Sequence, residues 1–268
     1  MLNTPLGTAE VKVEHEDGGA ATRSHPLASV QRIIWLDETL NPGSTHYNIG
    51  VAMRLEGDLD ADIFRIALNT VVNSNTALRL SFAGSQRRPE QRLLGPVAVP
   101  LAVLDLIDED GSEESARQYM RRVFSEPVSP WGLLPWESQL LRASRSGYYW
   151  LQRYHHMVMD GFGVQLIINY VLEEYDRRVK GRLDSAEQRP SYLEFVGEDQ
   201  RYLGSQRFHS DAQFWRERFP TAPAGLIQHQ DGAEHEVAPG EQLRWSIPRP
   251  LFESINAYIA EHGLSITH

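Results

Sequence analysis

The chain has 268 residues, enough for one large domain or two small ones, and its 41% hydrophobic and 23% charged residues are ordinary for a globular protein. A formal net charge of -10 argues against nucleic acid and anionic membranes as partners, and no apolar run reaches the roughly 18 residues that a membrane span needs. There is no cysteine, which excludes disulfides, thiolate catalysis and cysteine–zinc sites within the chain; the opening residues do not read as a secretory leader, so a cytoplasmic location is expected.

Residues 1–23 are polar, include Gly18-Gly19-Ala20-Ala21 and show no apolar periodicity, so they read as a flexible leader. A helix is predicted from Pro26 to Glu38, with the proline near its start. Tyr47 to Leu55 alternates as a strand does. From Asp60 to Ala77 the residues Ile63, Phe64, Ile66, Ala67, Leu68, Val71 and Val72 form one helical face. Short strands are expected over Leu78–Phe82 and Gln91–Leu94, and a helix over Ser112–Phe124 with Glu113 and Glu114 in its first turn. Glu137–Ala143 and Tyr148–Tyr154 form a predicted hairpin across Ser144-Arg145-Ser146-Gly147. An amphipathic helix follows over Phe162–Arg178. Thr221–Gly240 reads as an exposed loop rather than a metal tract, despite His229 and His235. Strand character resumes at Leu243–Ile247, and Pro248–His262 reads as a helix with Gly263 as its stop.

Chemistry concentrates in Tyr154-His155-His156-Met157-Val158-Met159-Asp160-Gly161. This stretch joins a predicted strand to a predicted helix, a place where a rigid scaffold can present a side chain to a ligand. An imidazole titrates near neutrality and can take a proton from an attacking amine or hydroxyl, so acyl transfer suits the cluster. Gly161, read as a loop glycine of positive φ, would let the backbone approach the reaction centre, with its N–H facing a developing oxyanion. Asp160 would accept a proton or pair with an arginine. No metal is expected, because adjacent histidines cannot easily share one ion and no HExxH is present.

The run His155 to Gly161 resembles the HHxxxDG motif of condensation domains of nonribosomal peptide synthetases, in the chloramphenicol acetyltransferase-like superfamily. Three further stretches, in the family's order, support it. Leu27-Ala28-Ser29-Val30-Gln31-Arg32-Ile33-Ile34-Trp35 resembles the first core motif. Ala77-Leu78-Arg79-Leu80-Ser81-Phe82 resembles the second, although Ser74, Asn75 and Thr76 replace its usual Arg-His-Glu. Tyr192-Leu193-Glu194-Phe195, followed by Gln213-Phe214-Trp215, resembles the fourth and its succeeding helix.

The resemblance implies an α/β fold, a chloramphenicol acetyltransferase-like lobe with a mixed sheet flanked by helices. It implies that residues 24–262 form the N-terminal lobe of a condensation domain. Residues 263–268 would begin the connection to a C-terminal lobe outside the chain, so that the chain alone would be inactive. It further implies amide bond formation between a donor acyl thioester and an acceptor aminoacyl amine. Both would ride on the phosphopantetheine of carrier proteins, with no cofactor bound directly. The expected partners are the donor and acceptor carriers, the C-terminal lobe and adjacent synthetase domains. His156 matches the histidine that positions the amine or takes its proton, and Gly161 joins it in the catalytic set. His155 is expected to pack or hydrogen-bond beneath the loop. Asp160 is expected to pair with Arg79, the two being structural at the active site. Trp35, Phe82, Tyr192, Phe195, Trp215, Met157 and Met159 are expected in the core. Gly163 stands where serine is common. The stretch Trp150 to His156 resembles domains taking aryl-acid donors in siderophore assembly. A non-catalytic carrier-binding module of the same fold and a coenzyme A-dependent acyltransferase remain as alternative readings. A glycerolipid acyltransferase shares the His155-to-Asp160 spacing but not the upstream motifs.

Overall fold

Of residues 147–155 all but Tyr149 are buried, and a strand covered in that way belongs in the middle of a sheet packed on both sides. The computed structural model describes residues 11–13, 23–85, 88–107, 112–182, 189–221 and 245–265. In chain order the elements are β1 (Lys12–Val13), β2 (Ser24–Pro26), α1 (Ser29–Leu40), β3 (Asn48–Glu56), α2 (Ala61–Ser74), a 3₁₀ turn (Thr76–Arg79), β4 (Leu80–Ser85), β5 (Arg88–Leu93), β6 (Val97–Ala98), β7 (Ala102–Asp105), α3 (Ser112–Phe124), β8 (Trp136–Ser144), β9 (Gly147–His155), α4 (Gly161–Val179), α5 (Tyr192–Leu203), α6 (Gln206–Arg218) and α7 (Arg249–Glu261).

The main sheet has four strands in the order β3-β9-β8-β7. β3 and β8 both pair with β9 antiparallel, whereas β7 pairs with β8 in parallel, with α3 as the crossover. The sheet is therefore mixed and flanked by helices. One face carries Leu140, Trp150 and Tyr154 against Phe64, Leu68 and Val71 of α2 and Ile167, Ile168 and Val171 of α4. The other carries Leu141, Ala143 and Leu151 against Ala116, Tyr119 and Val123 of α3. β3, at the sheet edge, alternates between half-buried and exposed residues, as an edge strand with one wet face should. A second sheet, in the order β2-β5-β4, and the short β1–β6 pair complete the strands among the described residues.

Polar residues on doubly covered β9 need partners, and most have them. Arg153 is 4% exposed; it holds Glu137 at 3.0 Å and donates to the Val123 carbonyl. Gln152 accepts the Tyr154 hydroxyl at 2.6 Å. Burial alone holds that hydroxyl's pKa above the ordinary tyrosine value.

Several expectations shift. The first helix begins at Ser29, because Pro26 ends β2, where its carbonyl accepts from Gln91 Nε2 at 2.8 Å. Asp199 then accepts from both the N–H and the hydroxyl of Ser29 at 2.9 Å, so the helix start is capped from a distant residue. Lys12 and Val13, within the segment read as leader, form β1 against β6. The helix expected over 60–77 ends at Ser74 and resumes as a 3₁₀ turn. Phe195 and Trp215 are 48% and 59% exposed, whereas Trp35 and Phe82 are buried as expected and Tyr192 is half-buried.

Residues from Arg216 onward form a separate compact unit that contains α7. Gly263, with φ of 62°, follows α7 as its left-handed stop. The expected loop at 221–240 falls, beyond Thr221, outside the described residues, as do 243 and 244 of the expected strand. Trp245 to Ile247 is without regular structure.

Candidate active site

β9 ends on His155, His156 follows it into a turn, and the residues flanking the neighbouring strands fix where it ends. The His155 N–H donates to the Pro135 carbonyl and the His156 N–H to the Tyr47 carbonyl, both at 2.9 Å. A turn follows, closed by the Val158 N–H on the His155 carbonyl at 3.1 Å. Met157, Val158 and Met159 tuck into the core beneath it, between 2% and 7% exposed. The loop is thus anchored by backbone on one side and by apolar burial on the other, a more rigid support than a free loop provides.

The two imidazoles diverge. His155 points inward and is 1% exposed, whereas His156 is exposed. His155 Nδ1 accepts the Met157 N–H at 3.1 Å, so that nitrogen carries the lone pair and the ring proton resides on Nε2. Desolvation, aided by the neighbouring His156, lowers the His155 pKa to about 4, so His155 is neutral at physiological pH. The Tyr47 ring lies edge-on to His156, with centroids 6.5 Å apart.

Asp160 is the N-cap of α4. Its Oδ1 accepts the Gly163 N–H at 2.7 Å and its carbonyl the Val164 N–H at 2.9 Å. This corrects the expected pairing with Arg79. The Arg79 guanidinium instead donates to the Leu94 carbonyl at 2.7 Å, while the Arg79 carbonyl accepts the Leu94 N–H. Arg79 therefore ties the 3₁₀ turn to the end of β5, and burial holds its pKa below the usual arginine value. The physical reason is local: an aspartate at the start of a helix has backbone donors within reach, whereas a salt bridge must order a long side chain. A replacement series separates the two roles. Asp160→Ala should cost about 1 kcal/mol, the scale of a lost cap, and Asp160→Asn should restore most of it. A chemical-denaturation loss of roughly 3–5 kcal/mol in both variants would restore the buried pair instead.

Gly161 is the first residue of α4. Contrary to expectation it is not among the glycines of positive φ, and a Cβ there would meet nothing within 4 Å. Neither conformation nor packing demands glycine, so what the glycine provides is open space above the first turn. At Gly163 the reverse holds. A Cβ would sit 2.7 Å from the Met159 sulfur and 3.2 Å from the capping Asp160 oxygen, which accounts for glycine where serine is common.

Thr76, in the departing second motif, accepts the Tyr192 N–H at 2.7 Å and so joins the 3₁₀ turn to α5. Tyr192 is pushed up to about 12, first by burial and then by the charges of Asp199 and Asp160. Two polar residues of the first helix to which the sequence reading gave no role at the site also reach this loop. Gln31 Nε2 donates to the Met157 carbonyl at 3.0 Å, and Glu38 Oε1 lies 3.2 Å from His155 Nε2. A signal for them was present: Gln31, Ile34, Trp35 and Glu38 stand at i, i+3, i+4 and i+7, the spacing of one buried helix face.

Among the described residues no group of three or more potential metal ligands is assembled, and no helix is long and apolar enough to cross a membrane.

The loop thus presents one exposed imidazole, His156, beside a buried one, His155, and a capped helix start, and an exposed imidazole in such a place can exchange a proton with a ligand. The condensation domain family profile matches residues 21–268, and the chain belongs to that family. It is 30% identical over 200 residues to a dimodular nonribosomal peptide synthase of Bacillus subtilis (strain 168), covering 74% of this chain and 8% of that protein. It is 30% identical over 215 residues to an isonitrile lipopeptide synthase of Streptomyces coeruleorubidus, covering 78% of this chain and 15% of that protein. Among solved structures it resembles the starter condensation domain of rhizomide synthetase RzmA, with a TM-score of 0.69 and 30% identity over 75% of this chain and 49% of that one. A variant of that domain was solved in complex with C8-CoA. The first condensation domain of the CDA synthetase, at 22% identity and a TM-score of 0.65, shares the fold. The chain thus spans a small part of its curated relatives and about half of the solved domains it matches.

Proposed function

We propose that this chain supplies the catalytic histidine of a condensation domain that joins a donor acyl thioester to the amine of an acceptor aminoacyl thioester. The observation that carries the reading is the exposed His156 on a backbone pinned by both neighbouring strands, in a chain of the condensation family. The amine nitrogen attacks the thioester carbonyl. The tetrahedral intermediate collapses with cleavage of the carbon–sulfur bond, and the amine's proton ends on the departing thiolate. His156 carries or positions that proton. The Gly161 N–H, in the first turn of α4 where helix amides lack intrahelical partners, faces the oxyanion. His155 and Asp160 hold the loop and the helix start, and Arg79 holds the strand end below them. The partners are a donor and an acceptor carrier protein, each bearing its substrate on phosphopantetheine, together with a C-terminal lobe and adjacent synthetase domains in the cytoplasm.

A second donor form is favoured by the relative that was solved with C8-CoA, because coenzyme A presents the same pantetheine thioester as a carrier. The test uses the natural protein containing this chain, an aminoacyl-loaded acceptor carrier, and donors offered as octanoyl or aryl thioesters on a carrier or on coenzyme A. Intact-mass detection of the amide reads the result. Product from carrier-bound donor is expected. Product from coenzyme A thioesters alone would move the donor to that form. No product despite demonstrated carrier binding would leave a non-catalytic binding module.

A further inference from the structure

Helix α1 hides two polar side chains among the apolar ones of its inner face. Gln31 is 1% exposed and Glu38 is 3% exposed, with Ile34 and Trp35 between them. Burying a carboxylate is expensive unless something offsets it, so a glutamate kept on a core face calls for a partner. That partner is His155, whose Nε2 lies 3.2 Å from Glu38 Oε1. The approach is close but not aligned as a hydrogen bond, and neither atom has another hydrogen-bond partner among the described residues.

We propose that Glu38 and Gln31 are positioning residues for His156, acting through His155 and the Met157 backbone. The argument follows the hydrogen-bonding groups one by one. His155 Nδ1 accepts the Met157 N–H, which requires the ring proton on Nε2, the nitrogen that faces Glu38. A carboxylate at that place stabilises this tautomer over the other. The Met157 carbonyl is held by Gln31 Nε2 at 3.0 Å, so Met157 is gripped at both its N–H and its carbonyl. Gln31 is itself fixed: its Oε1 accepts the Ala28 N–H at 2.9 Å and its Nε2 also reaches Gln91 Oε1 at 3.2 Å. The His156 N–H is already tied to Tyr47. The backbone on each side of His156 is therefore fixed, and with it the direction in which the exposed imidazole leaves the loop. Misplacing a reacting group by about 1 Å can cost about 100-fold in rate.

This inference rests on the function proposed above, and the test keeps the two apart. The natural protein containing this chain is labelled with ¹⁵N-histidine, and the tautomer of His155 is read by NMR in the wild type, E38Q and E38M. Amide formation is measured on the same samples. Expected are a fixed Nε2–H tautomer in the wild type and in E38Q, whose amide keeps an oxygen facing Nε2, and a mixed or inverted tautomer in E38M. E38Q should keep kcat within about threefold, whereas E38M should lose roughly tenfold or more in kcat with little change in acceptor KM. A role confined to stability would lower the folded fraction without moving the tautomer or the kcat per folded molecule. An Nδ1–H tautomer in the wild type, or an E38M protein with wild-type kcat, overturns the proposal. Should E38M fail to fold, Gln31→Met replaces it, with a tenfold loss of kcat expected and an unchanged kcat overturning. A wild type that forms no amide defeats the functional reading alone; the tautomers of the wild type and E38M then still support or overturn the hold on the loop.

Discussion

His156→Ala is expected to slow amide formation by roughly 10²- to 10⁴-fold, the scale on which a positioned general acid–base group contributes. The side chain is exposed, and the interaction that fixes the residue in the fold is its backbone N–H on Tyr47, which alanine retains. Stability should therefore stay within about 0.5 kcal/mol of wild type, as at other surface positions away from special features. The separation of the two effects is the informative part. A large loss of rate with an unchanged melting midpoint assigns the loss to chemistry. Equal rates in the two proteins would remove His156 from the reaction, and a parallel loss of stability would mean that the side chain supports the loop.

Trp150→Ala should have the opposite signature, a cost of about 3–5 kcal/mol in stability that arises well below the histidines. Trp150 is fully buried on β9, packs edge-to-face on Phe64 of α2 at a centroid distance of 5.0 Å, and donates its indole N–H to Ser138 Oγ at 2.9 Å. Removing it opens a cavity between the sheet and α2 and leaves the half-buried Ser138 hydroxyl short of a donor. At about 2–4 °C per kcal/mol for a domain of this size, the melting midpoint should fall by roughly 6–20 °C. Phe162→Ala is the control, since that ring is 74% exposed and should be close to neutral. A loss below about 1 kcal/mol at Trp150 would mean that the two layers close over the gap.

Much of the fold was legible because local pattern and tertiary packing agree. The helix over Ser112–Phe124 starts and stops where its acidic first turn and basic last turn indicate. Each strand of the β8–β9 hairpin is one residue longer at both ends than its alternation and turn suggested. Disagreement appears where a distant group overrides a local rule. Pro26 would open a helix by local preference, but β5 takes it as a strand residue and Asp199 supplies the helix start three residues on. Phe195 and Trp215 are large and apolar, yet composition does not say which face of a helix points outward. At the site, the motif spacing located His155, His156, Asp160 and Gly161. Spacing cannot show that Asp160 spends its oxygen on a helix amide, or that Arg79 reaches Leu94. Glu38 was visible as one position of an apolar stripe that held a charge, a local inconsistency of the kind that marks functional sites.

The pinning of His155 and His156 to the flanking strands also sets two clocks at one residue. The His156 imidazole is exposed and free to reorient on the picosecond-to-nanosecond scale of surface side chains. Its peptide N–H is tied to the Tyr47 carbonyl, just beyond the end of the β3–β9 ladder, and opens far more rarely. The ring of the proposed catalytic histidine can therefore turn without the backbone under it having to move.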